Sequence, residues 1–297
     1  MAIGVAVGDS PTGPFKDAIG RPLYEGSWDF IDPTVFVDDD GQAYLYWGNP
    51  NVYYAKLNAD MVSLDGEVSK VEQTIESFGS PGPDKREKGK KYKDIYTEGP
   101  WLHKRGGTYY LSYAAGGVPE HIAYSMSDTP TGPWKYMGEI MPLQDTGSFT
   151  NHCGVTDYKG NSYFFYHTGK LPGGGGFGRS VAVEQFSYNP DGTFPIINAT
   201  TEGVSPVGTL TPYQRVEAET IAFSEGVKSE WNAKTGVYVS GIHDGDYIKV
   251  REVDFEDLSP KCLCVSVASA LRGGWIEIRT DSIGGTLIAE MRVPHTG

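Results

Sequence analysis

The chain has 297 residues, which is enough for two domains that each bury a core of their own. Its 39 glycines, 19 prolines and 12% aromatic residues are typical of a turn-rich β protein. The formal net charge of −13 argues against a nucleic-acid partner or an anionic membrane surface, whereas a neutral, hydroxyl-rich ligand is compatible with it. No apolar stretch approaches the roughly 20 residues that a membrane span requires.

The first residues of the chain read as a short strand followed by a turn. MAIGVAVGDSPTGPF has no basic segment and no long apolar core, so we predict no signal peptide within these residues. The heptapeptide SPTGPFK at 10–16 recurs as TPTGPWK at 129–135, an offset of 129 − 10 = 119 residues. This repetition indicates that both segments occupy the same place in a repeated unit.

One polar side chain precedes an aromatic-rich alternating strand in each of three similar stretches. They are DPTVFVDDDGQAYLYWG from Asp32, EGPWLHKRGGTYYLSYA from Glu98 and HCGVTDYKGNSYFFYH from His152, at spacings of 98 − 32 = 66 and 152 − 98 = 54 residues. Together, these two spacings nearly equal the offset of 119 residues between the two heptapeptides. Units of this length are typical of propeller blades, in which radial closure hides the sheet edges and the inner strands start near the axis. We therefore expect the three side chains to converge on one axial pocket.

The predicted fold is all-β, in two parts joined by a connector. Residues 1–200 are predicted to form a β-propeller, 201–212 a Thr/Gly/Pro-rich linker, and 213–297 a β-sandwich of short alternating strands. Within the first part, the charged stretch 76–95 is predicted to be a solvated loop. Within the second, Cys262 and Cys264 alternate with Leu263 and are predicted to fill the core from one face of a strand.

Asp32 and Glu98 are the candidates for acid–base chemistry. Two carboxyl groups that face one pocket are the minimum for glycoside hydrolysis, because one protonates the leaving oxygen while a second group activates water or attacks. For Glu98 to donate a proton at neutral pH, its pKa must be raised by burial or by a nearby negative charge, which Asp32 could supply. The alternative for Asp32 is a turn or capping residue before Pro33.

His152 and Arg179 are candidates for positioning a substrate. His152 could be a base, a hydrogen-bond donor to the substrate or a metal ligand, and the alternative is a buried core histidine. The glycine-rich stretch 171–180 lacks the Lys-Ser/Thr pair and the helix of a phosphate-binding loop. Its glycines are instead predicted to let the backbone approach the pocket and to present Arg179 to carboxylates or sugar hydroxyls.

Several independent motifs between residue 3 and about residue 200 resemble glycoside hydrolase family 43. They include DPTVFVDDDGQAYLYWGN, TEGPWL, PEHIAYS, TGPWKY, SFTNH and GGGGFGRSVAVEQFSYNPDGT, and the resemblance is strongest to arabinoxylan arabinofuranohydrolases and β-xylosidases. It implies a five-bladed β-propeller that removes α-L-arabinofuranosyl or β-xylosyl units from arabinoxylan with inversion. By motif, it implies that Glu98 is the proton donor and that Asp32 raises the pKa of this acid.

The same resemblance implies roles for His152 and Arg179. His152 corresponds to an axial histidine that in many family members lies beside a calcium ion or its water shell, and Arg179 corresponds to the arginine at the catalytic centre. Residues 213–297 resemble family 6 carbohydrate-binding modules through RVEAE, YVSGIHDGDYIKV and IEIRTDS. Such β-sandwich modules often carry a structural calcium near the first strand, where Glu217 and Glu219 are candidate ligands; the alternative is a strand with outward-facing acids.

The resemblance also implies a partner and a location. The expected partner is a plant cell-wall polysaccharide, either arabinoxylan or a xylo-oligosaccharide, with neither nucleic acid nor membrane involved. Members of the family are usually exported, so a secreted, extracellular enzyme is expected even though these residues carry no signal peptide.

The sequence departs from the family pattern in one respect. The catalytic base of the family is an Asp on the first blade, upstream of every motif present here, and Asp9 precedes SPTGP at the outer end of a unit, far from the axis. We therefore expect the base and one to two blades to lie upstream of Met1, which leaves the propeller incomplete, and the second module to be truncated after VPHTG. Activity of this chain alone is expected to be impaired, and the alternative is a non-catalytic carbohydrate-binding fragment.

Overall fold

The computed structural model describes residues 1–9, 13–79, 96–171 and 173–297. The chain divides into two compact units, Met1–Ser205 and Pro206–Gly297, and the division falls within the predicted linker. The all-β prediction is confirmed, because the only helix among the described residues is a single turn, Ile75–Phe78. No described helix is long and apolar enough to cross a membrane.

The first unit opens with two short strand pairs formed around the first heptapeptide. Their strands are β1 (Ala2–Ile3), β2 (Ala6–Val7), β3 (Lys16–Asp17) and β4 (Tyr24–Glu25). β1 pairs with β4 and β2 pairs with β3, both in antiparallel fashion. Strand β3 begins at the last residue of the heptapeptide SPTGPFK, whose residues 10–12 lie outside the described part of the chain.

A four-stranded antiparallel sheet follows, in which neighbours in sequence are neighbours in space. Its strands are β5 (Thr34–Val37), β6 (Ala43–Trp47), β7 (Tyr53–Leu57) and β8 (Leu64–Lys70), in the order β5-β6-β7-β8. The turn between β5 and β6 uses the Asp-Gly sequence: Gly41 has a φ of 86° and its N–H donates to the carbonyl oxygen of Asp38. All five residues of β6 are buried, because its two faces belong to two different cores.

A short helix, α1 (Ile75–Phe78), precedes the second sheet. Thr74 caps it: its side chain accepts from the Ser77 N–H, while the Ser77 side chain accepts from the Thr74 N–H. The prediction of a loop over residues 76–95 is therefore wrong for residues 76–78, which belong to the helix and include the buried Phe78. The remainder of that prediction, residues 80–95, lies outside the described residues.

The second sheet also has four antiparallel strands. They are β9 (Tyr96–Arg105), β10 (Thr108–Ala115), β11 (His121–Ser127) and β12 (Lys135–Met141), in the order β12-β11-β10-β9. Strand β12 begins at the last residue of the second heptapeptide, as β3 begins at the last residue of the first. The repeated heptapeptide thus leads into a strand at both of its positions.

The third sheet completes an arrangement in which three sheet edges face one another. Its strands are β13 (Gly154–Tyr158), β14 (Asn161–Thr168) and β15 (Ser180–Phe186), in the order β13-β14-β15. β5, β9 and β13 each form an edge of their own sheet, and β9 contacts both of the others. The side chains carried at the start of these edge strands are thereby placed close together.

Strand β10 contributes to two cores at once, because alternate side chains of a strand point to opposite faces of its sheet. Tyr109, Leu111 and Tyr113 pack into the core shared with the aromatic residues of β6. Tyr110 and Ala114 pack into the core shared with the aromatic residues of β14. In β10, as in β6, the aromatic-rich alternating pattern therefore marks a strand that is covered on both faces.

Truncating Leu111 tests this packing. Leu111 is fully buried in the core between the first two sheets, so Leu111→Ala removes apolar contacts and leaves a cavity. We expect the free energy of unfolding to fall by about 2–5 kcal/mol, measured by urea denaturation. Leu171→Ala is the control, since Leu171 is half-exposed and its truncation should change stability by no more than about 0.5 kcal/mol. Equal effects of the two variants would contradict the assignment of Leu111 to the core.

His103 of β9 introduces a titratable group next to the second core. Its ring stacks on Tyr110 at a centroid distance of 4.8 Å, and its Nε2 lies 3.0 Å from the hydroxyl oxygen of Tyr188. Burial lowers the pKa of His103 from 6.5 to about 4. The folded protein therefore holds this imidazole neutral at pH values where the unfolded chain protonates it.

The pH dependence of stability follows from this difference. The unfolded chain takes up the proton below pH 6.5 and the folded chain only near pH 4, so the stability linked to His103 is complete above pH 6.5. It is lost as the pH falls from 6.5 towards 4, by about 3 kcal/mol at most. We expect His103→Gln to flatten the fall of unfolding free energy over this range in urea titrations. A wild-type slope in the His103→Gln variant would contradict this account.

The second unit consists of three separate antiparallel pairs. Its strands are β16 (Phe223–Glu225), β17 (Lys228–Asn232), β18 (Gly236–Ser240), β19 (Tyr247–Lys249), β20 (Gly274–Arg279) and β21 (Leu287–Val293), paired as β16-β19, β17-β18 and β20-β21. Val293 is the one buried apolar residue among the described residues of this unit. Cys262 and Cys264 are exposed and lie outside any strand, so their prediction as core residues is wrong. An alternating pattern buries its apolar face only where other strands cover it.

Candidate active site

Asp32 lies two residues before β5, in a left-handed backbone conformation. Its φ is 57°, in the left-handed region that costs most non-glycine residues energy but that Asp and Asn tolerate better than others. The half-buried carboxylate accepts a hydrogen bond from the backbone N–H of Gly99. Such conformations occur at functional sites and in turns alike, so this one is compatible with either role of Asp32.

Glu98 lies within β9 where the pairing of that strand with β10 is irregular. It faces Ala114, and the register shifts on both sides of this pair. Such bulges redirect side chains, and here the carboxylate of Glu98 is brought to the edge of the sheet. Its Oε2 accepts a hydrogen bond of 2.5 Å from the Nδ2 of Asn49, and its Oε1 lies 3.3 Å from the Nε2 of His152.

His152 lies two residues before β13 and completes the cluster. Its Nε2 is 4.0 Å from Oδ2 of Asp32, and its ring stacks on His167 at 5.1 Å. The close approach depends on Gly99, since a Cβ there would lie 2.9 Å from Cγ of His152 and the φ of Gly99 is +60°. One ligand atom each from Asp32, Glu98 and His152 all lie within 4.8 Å of one another. The structure thus brings together the three side chains that the repeat predicts to converge.

A cavity of about 140 Å³ adjoins this cluster. Its lining combines polar cluster atoms with apolar walls and consists of Asp32, Pro33, Thr34, Gly99, Pro100, Trp101, His152 and Cys153. Oδ2 of Asp32 and Nε2 of His152 are buried and have no aligned hydrogen-bond partner within the described residues. A few unsatisfied polar atoms beside apolar walls are typical of a small-molecule site.

Arg179 lies at the end of the glycine-rich stretch, immediately before β15. Its Nη1 donates a hydrogen bond of 3.1 Å to Oγ1 of Thr150, two residues before His152. Burial dominates and raises the pKa of Asp32, and the positive charge of Arg179 acts weakly in the opposite direction. Arg179 is exposed, so its guanidinium is accessible to a ligand that enters beside Asp32.

Three residues near the cluster were not singled out by the sequence analysis: Asn49, Glu120 and His167. Asn49 follows β6 and donates to Glu98, and His167 lies in β14 behind His152. Glu120 immediately precedes β11, is 5% exposed, and is in hydrogen-bonding contact with Glu98. The motif PEHIAYS contains Glu120, but nothing in this motif distinguishes a buried Glu from an exposed one.

The electrostatics of the cluster differ from the expectation in one respect. Interaction with His152 lowers the pKa of Glu98, and contacts with Glu120 and Asn49 lower it further against the effect of burial. Burial instead raises the pKa of Asp32 and, more strongly, that of Glu120. The pKa of His152 is raised: burial opposes protonation, but Glu98 and Asp32 together favour the charged imidazole. The pKa of Glu98 is therefore shifted in the direction opposite to the one that the sequence analysis requires of a proton donor.

The donor atoms at the predicted calcium sites are few. Ca²⁺ takes six to eight oxygen ligands, whereas the cluster offers two carboxylates and one imidazole, and Asn49 already contacts Glu98. The described groups alone do not complete a calcium shell. In the second unit, both carboxylate oxygens of Glu217 bind Arg215, and neither Glu217 nor Glu219 belongs to a cluster of metal-ligating residues within the described ranges. Calcium stays a prediction for this chain.

Comparison with known proteins agrees with the geometry. Residues 1–194 match the model of the Glycosyl hydrolases family 43, and residues 217–297 match that of the Carbohydrate binding module (family 6). The chain belongs to glycosyl hydrolases family 43. The resemblance stated from the motifs is thereby confirmed for both parts of the chain.

Relatives within the family share most of this chain but are longer. An arabinoxylan arabinofuranohydrolase of Bacillus subtilis is 34% identical over 99% of the chain and 62% of its own length, and one of Paenibacillus polymyxa is 33% identical over 99% and 50%. The chain therefore spans between half and two thirds of these relatives.

Solved structures of the family give the same result. A family 43 arabinoxylan arabinofuranohydrolase from Bacillus subtilis, in complex with cellotetraose, superposes with a TM-score of 0.77 at 31% identity, covering 100% of this chain and 65% of that one. A β-xylosidase/α-arabinofuranosidase from a compost metagenome, solved with xylotriose in a calcium-free form, gives 0.55 at 31% identity over 66% of this chain and 65% of that one.

Proposed function

We propose that the protein containing this chain is an inverting glycoside hydrolase that removes α-L-arabinofuranosyl or β-xylosyl units from arabinoxylan-type plant polysaccharide. The observation that carries the proposal is the cluster of Asp32, Glu98 and His152, whose ligand atoms lie within 4.8 Å of one another at the facing edges of three sheets. The similarity to arabinoxylan arabinofuranohydrolases over 99% of the chain supports it.

In the proposed mechanism Glu98 donates a proton to the glycosidic oxygen as the bond to the anomeric carbon breaks. Asp32 opposes the ionisation of Glu98 through its negative charge, since the two carboxylates lie at one site. Three groups can bind sugar hydroxyls. Oδ2 of Asp32, which lacks a hydrogen-bond partner within the described residues, is an acceptor. Nε2 of His152, which also lacks one, and the accessible guanidinium of Arg179 are donors. A base takes a proton from the attacking water on the opposite face of the sugar ring.

We propose that this base is an Asp in polypeptide that precedes Met1, within a five-bladed propeller to which the three described sheets contribute. Asp9 is exposed beside the first strand pairs and does not belong to the cluster, and Glu120 contacts Glu98 directly. An inverting base must stand about 6.5–9.5 Å from the acid to leave room for water, so Glu120 is unsuitable. The greater length of the relatives supports a contribution from further chain.

The second unit is proposed to be a β-sandwich that binds the same polysaccharide. Its match to the family 6 carbohydrate-binding module supports this role. Because a plant cell-wall polymer is an extracellular substrate, we infer that the enzyme acts outside the cell.

The test is hydrolysis of 4-nitrophenyl α-L-arabinofuranoside and β-D-xyloside by the full-length gene product, with the product anomer identified by NMR during the first turnovers. We expect release of one of the two sugars with inverted configuration. Retention, or no hydrolysis of either glycoside or of arabinoxylan, would contradict the proposal. The 297-residue chain assayed beside it decides the alternative: binding of xylo-oligosaccharides without turnover would mean that these residues alone form a carbohydrate-binding fragment.

A further inference from the structure

We propose that the side chains of Phe149 and Phe177 form an aromatic platform on which a xylopyranosyl ring of the polysaccharide backbone stacks, beside the sugar that is cleaved off. The inference rests on the proposed function and adds to it a binding site for the leaving part of the polymer. Neither ring belongs to the cluster of Asp32, Glu98 and His152 or lines the cavity that adjoins it.

The platform is carried by segments at the end of the third sheet where His152 lies. Residues 169–179 connect the end of β14 to the start of β15. β13 runs antiparallel to β14, so His152, two residues before β13, extends past this same end of the sheet. Phe149 precedes His152 by three residues, and Phe177 precedes Arg179 by two. Both rings therefore belong to segments that also carry side chains of the candidate active site.

The backbone that carries Phe177 is held by hydrogen bonds. Gly175 and Gly178 exchange two bonds, one from each N–H to the carbonyl oxygen of the other, of 2.9 and 2.7 Å. The hydroxyl group of Ser148 donates to the carbonyl oxygen of Gly176 at 3.0 Å. The second of these contacts joins the segment of Phe177 to the segment of Phe149.

Glycines let these segments approach closely. A Cβ at Gly169 would lie 2.7 Å from the carbonyl oxygen of Gly147, and one at Gly176 would lie 3.0 Å from Cε1 of Phe149. The φ of Gly176 is +52°, in the region that favours glycine. The position of Phe177 is thus set by backbone packing before a ligand binds, which lowers the entropy cost of binding.

The two rings present an apolar surface to water. They meet edge to face, with their centroids 4.9 Å apart and an interplanar angle of 84°. Phe177 is 76% exposed and Phe149 is 37% exposed. A single exposed apolar residue needs no explanation, whereas an apolar patch that is held in place and bordered by polar groups is typical of a binding site.

A pyranose ring matches this combination of groups. The faces of a xylopyranosyl ring are rows of C–H groups, whose partial positive charge is attracted by the negative face of an aromatic ring. Its hydroxyl groups lie at the ring edge, where the exposed guanidinium of Arg179 can donate hydrogen bonds to them. Arg179 is bound to Thr150, which is adjacent to Phe149 in the chain and two residues from His152. A polymer that extends from the cleaved bond therefore meets the platform next to Arg179.

Further polypeptide is the competing occupant of this surface, because the relatives are longer than this chain. Three replacements of Phe177 separate the two occupants. Phe177→Tyr keeps an aromatic ring, Phe177→Leu keeps apolar volume without a ring, and Phe177→Ala keeps neither. Stacking of a sugar requires the ring, whereas packing against protein depends on apolar volume.

The test compares two substrates of the full-length enzyme: arabinoxylan, and the glycosyl fluoride of the sugar that the enzyme releases. Fluoride is too small a leaving group to reach the platform. We expect Phe177→Ala and Phe177→Leu to raise KM for arabinoxylan about 10-fold and to leave kcat/KM for the fluoride unchanged. Phe177→Tyr should match wild type on both substrates. Phe15→Ala is the matched control, since Phe15 is also exposed, at 58%, but lies outside these segments, and it should match wild type as well.

A wild-type KM for arabinoxylan in Phe177→Ala, or equal losses on the two substrates, would overturn the platform while leaving the proposed function intact. A lower urea midpoint in Phe177→Ala, with Phe177→Leu at the wild-type midpoint and KM unchanged in both, would assign Phe177 to packing against further polypeptide. No hydrolysis of either substrate by the wild type would instead contradict the proposed function.

Binding of xylohexaose tests the platform without hydrolysis. A Trp at position 177 keeps the aromatic surface and reports on its surroundings by fluorescence. We expect xylohexaose to change the fluorescence of full-length Phe177→Trp beyond the change that it causes in the wild type, and to add nothing in Phe15→Trp. A response of Phe177→Trp equal to that of the wild type would overturn the inference.

Discussion

Replacement of Glu98 by Gln in the full-length enzyme is expected to lower kcat for 4-nitrophenyl glycosides by about 10²–10⁴-fold. The Gln side chain has the same shape and can retain the contact with Asn49, so the site should keep its geometry. The amide cannot give a proton to the leaving oxygen, however, and the loss should appear in kcat more than in KM. Steady-state kinetics at several pH values measures it.

The control for this variant is Glu76→Gln, at an exposed position in the first turn of α1. It makes the same chemical change outside the cluster and should leave kcat and KM at their wild-type values. If Glu98→Gln hydrolyses the glycosides at the wild-type rate, Glu98 is not the proton donor, and the proposed mechanism fails with it.

Replacement of Asp32 by Asn is expected to cost about 10²-fold in kcat or more. Asn tolerates the positive φ at this position and its side-chain oxygen can still accept from Gly99, so the backbone should remain in place. What disappears is the negative charge. Because that charge opposes the ionisation of Glu98, its removal should lower the pKa of Glu98 in the enzyme–substrate complex.

The pH dependence of kcat shows the direction of this pKa change. An acid must be protonated to act, so the rate falls as the pH rises through the pKa of Glu98. A lower pKa moves that fall to lower pH, and we expect the alkaline limb of the kcat profile of Asp32→Asn to shift in that direction. Asp281→Asn is the control, since Asp281 also has a positive φ, of 62°, but lies in the second unit. An unshifted limb, or a shift to higher pH, would show that Asp32 acts in some other way.

The convergence of Asp32, Glu98 and His152 could be predicted because it depends on repetition. Each residue stands at or near the start of an edge strand, and equivalent strands of a repeated unit place equivalent residues together. The alternating aromatic pattern likewise identifies β6 and β10, which bury both faces, and β14, whose aromatic residues are buried except for Phe165.

Features that arise from contacts between distant segments could not be predicted in this way. Glu120 is buried because Asn151, in the connection to another sheet, binds its carboxylate, and no local pattern records that contact. The helix α1 was not predicted, because a helix of four residues is too short to show the 3.6-residue repeat of apolar side chains. Its one sequence signal is the capping pair of Thr74 and Ser77. The alternation around Cys262 indicated a strand, yet a strand forms only where a partner pairs with it.

Gly99 restricts which residues related sequences can carry at positions 99 and 152. A single hydrogen atom in place of a side chain lets the imidazole of His152 lie against the backbone, and the same glycine gives its N–H to Asp32. Any larger residue would have to be accommodated by a smaller side chain at position 152, and the positive φ would still penalise it. We therefore expect positions 99 and 152 to covary among related sequences, with a side chain appearing at 99 only where the imidazole has been replaced.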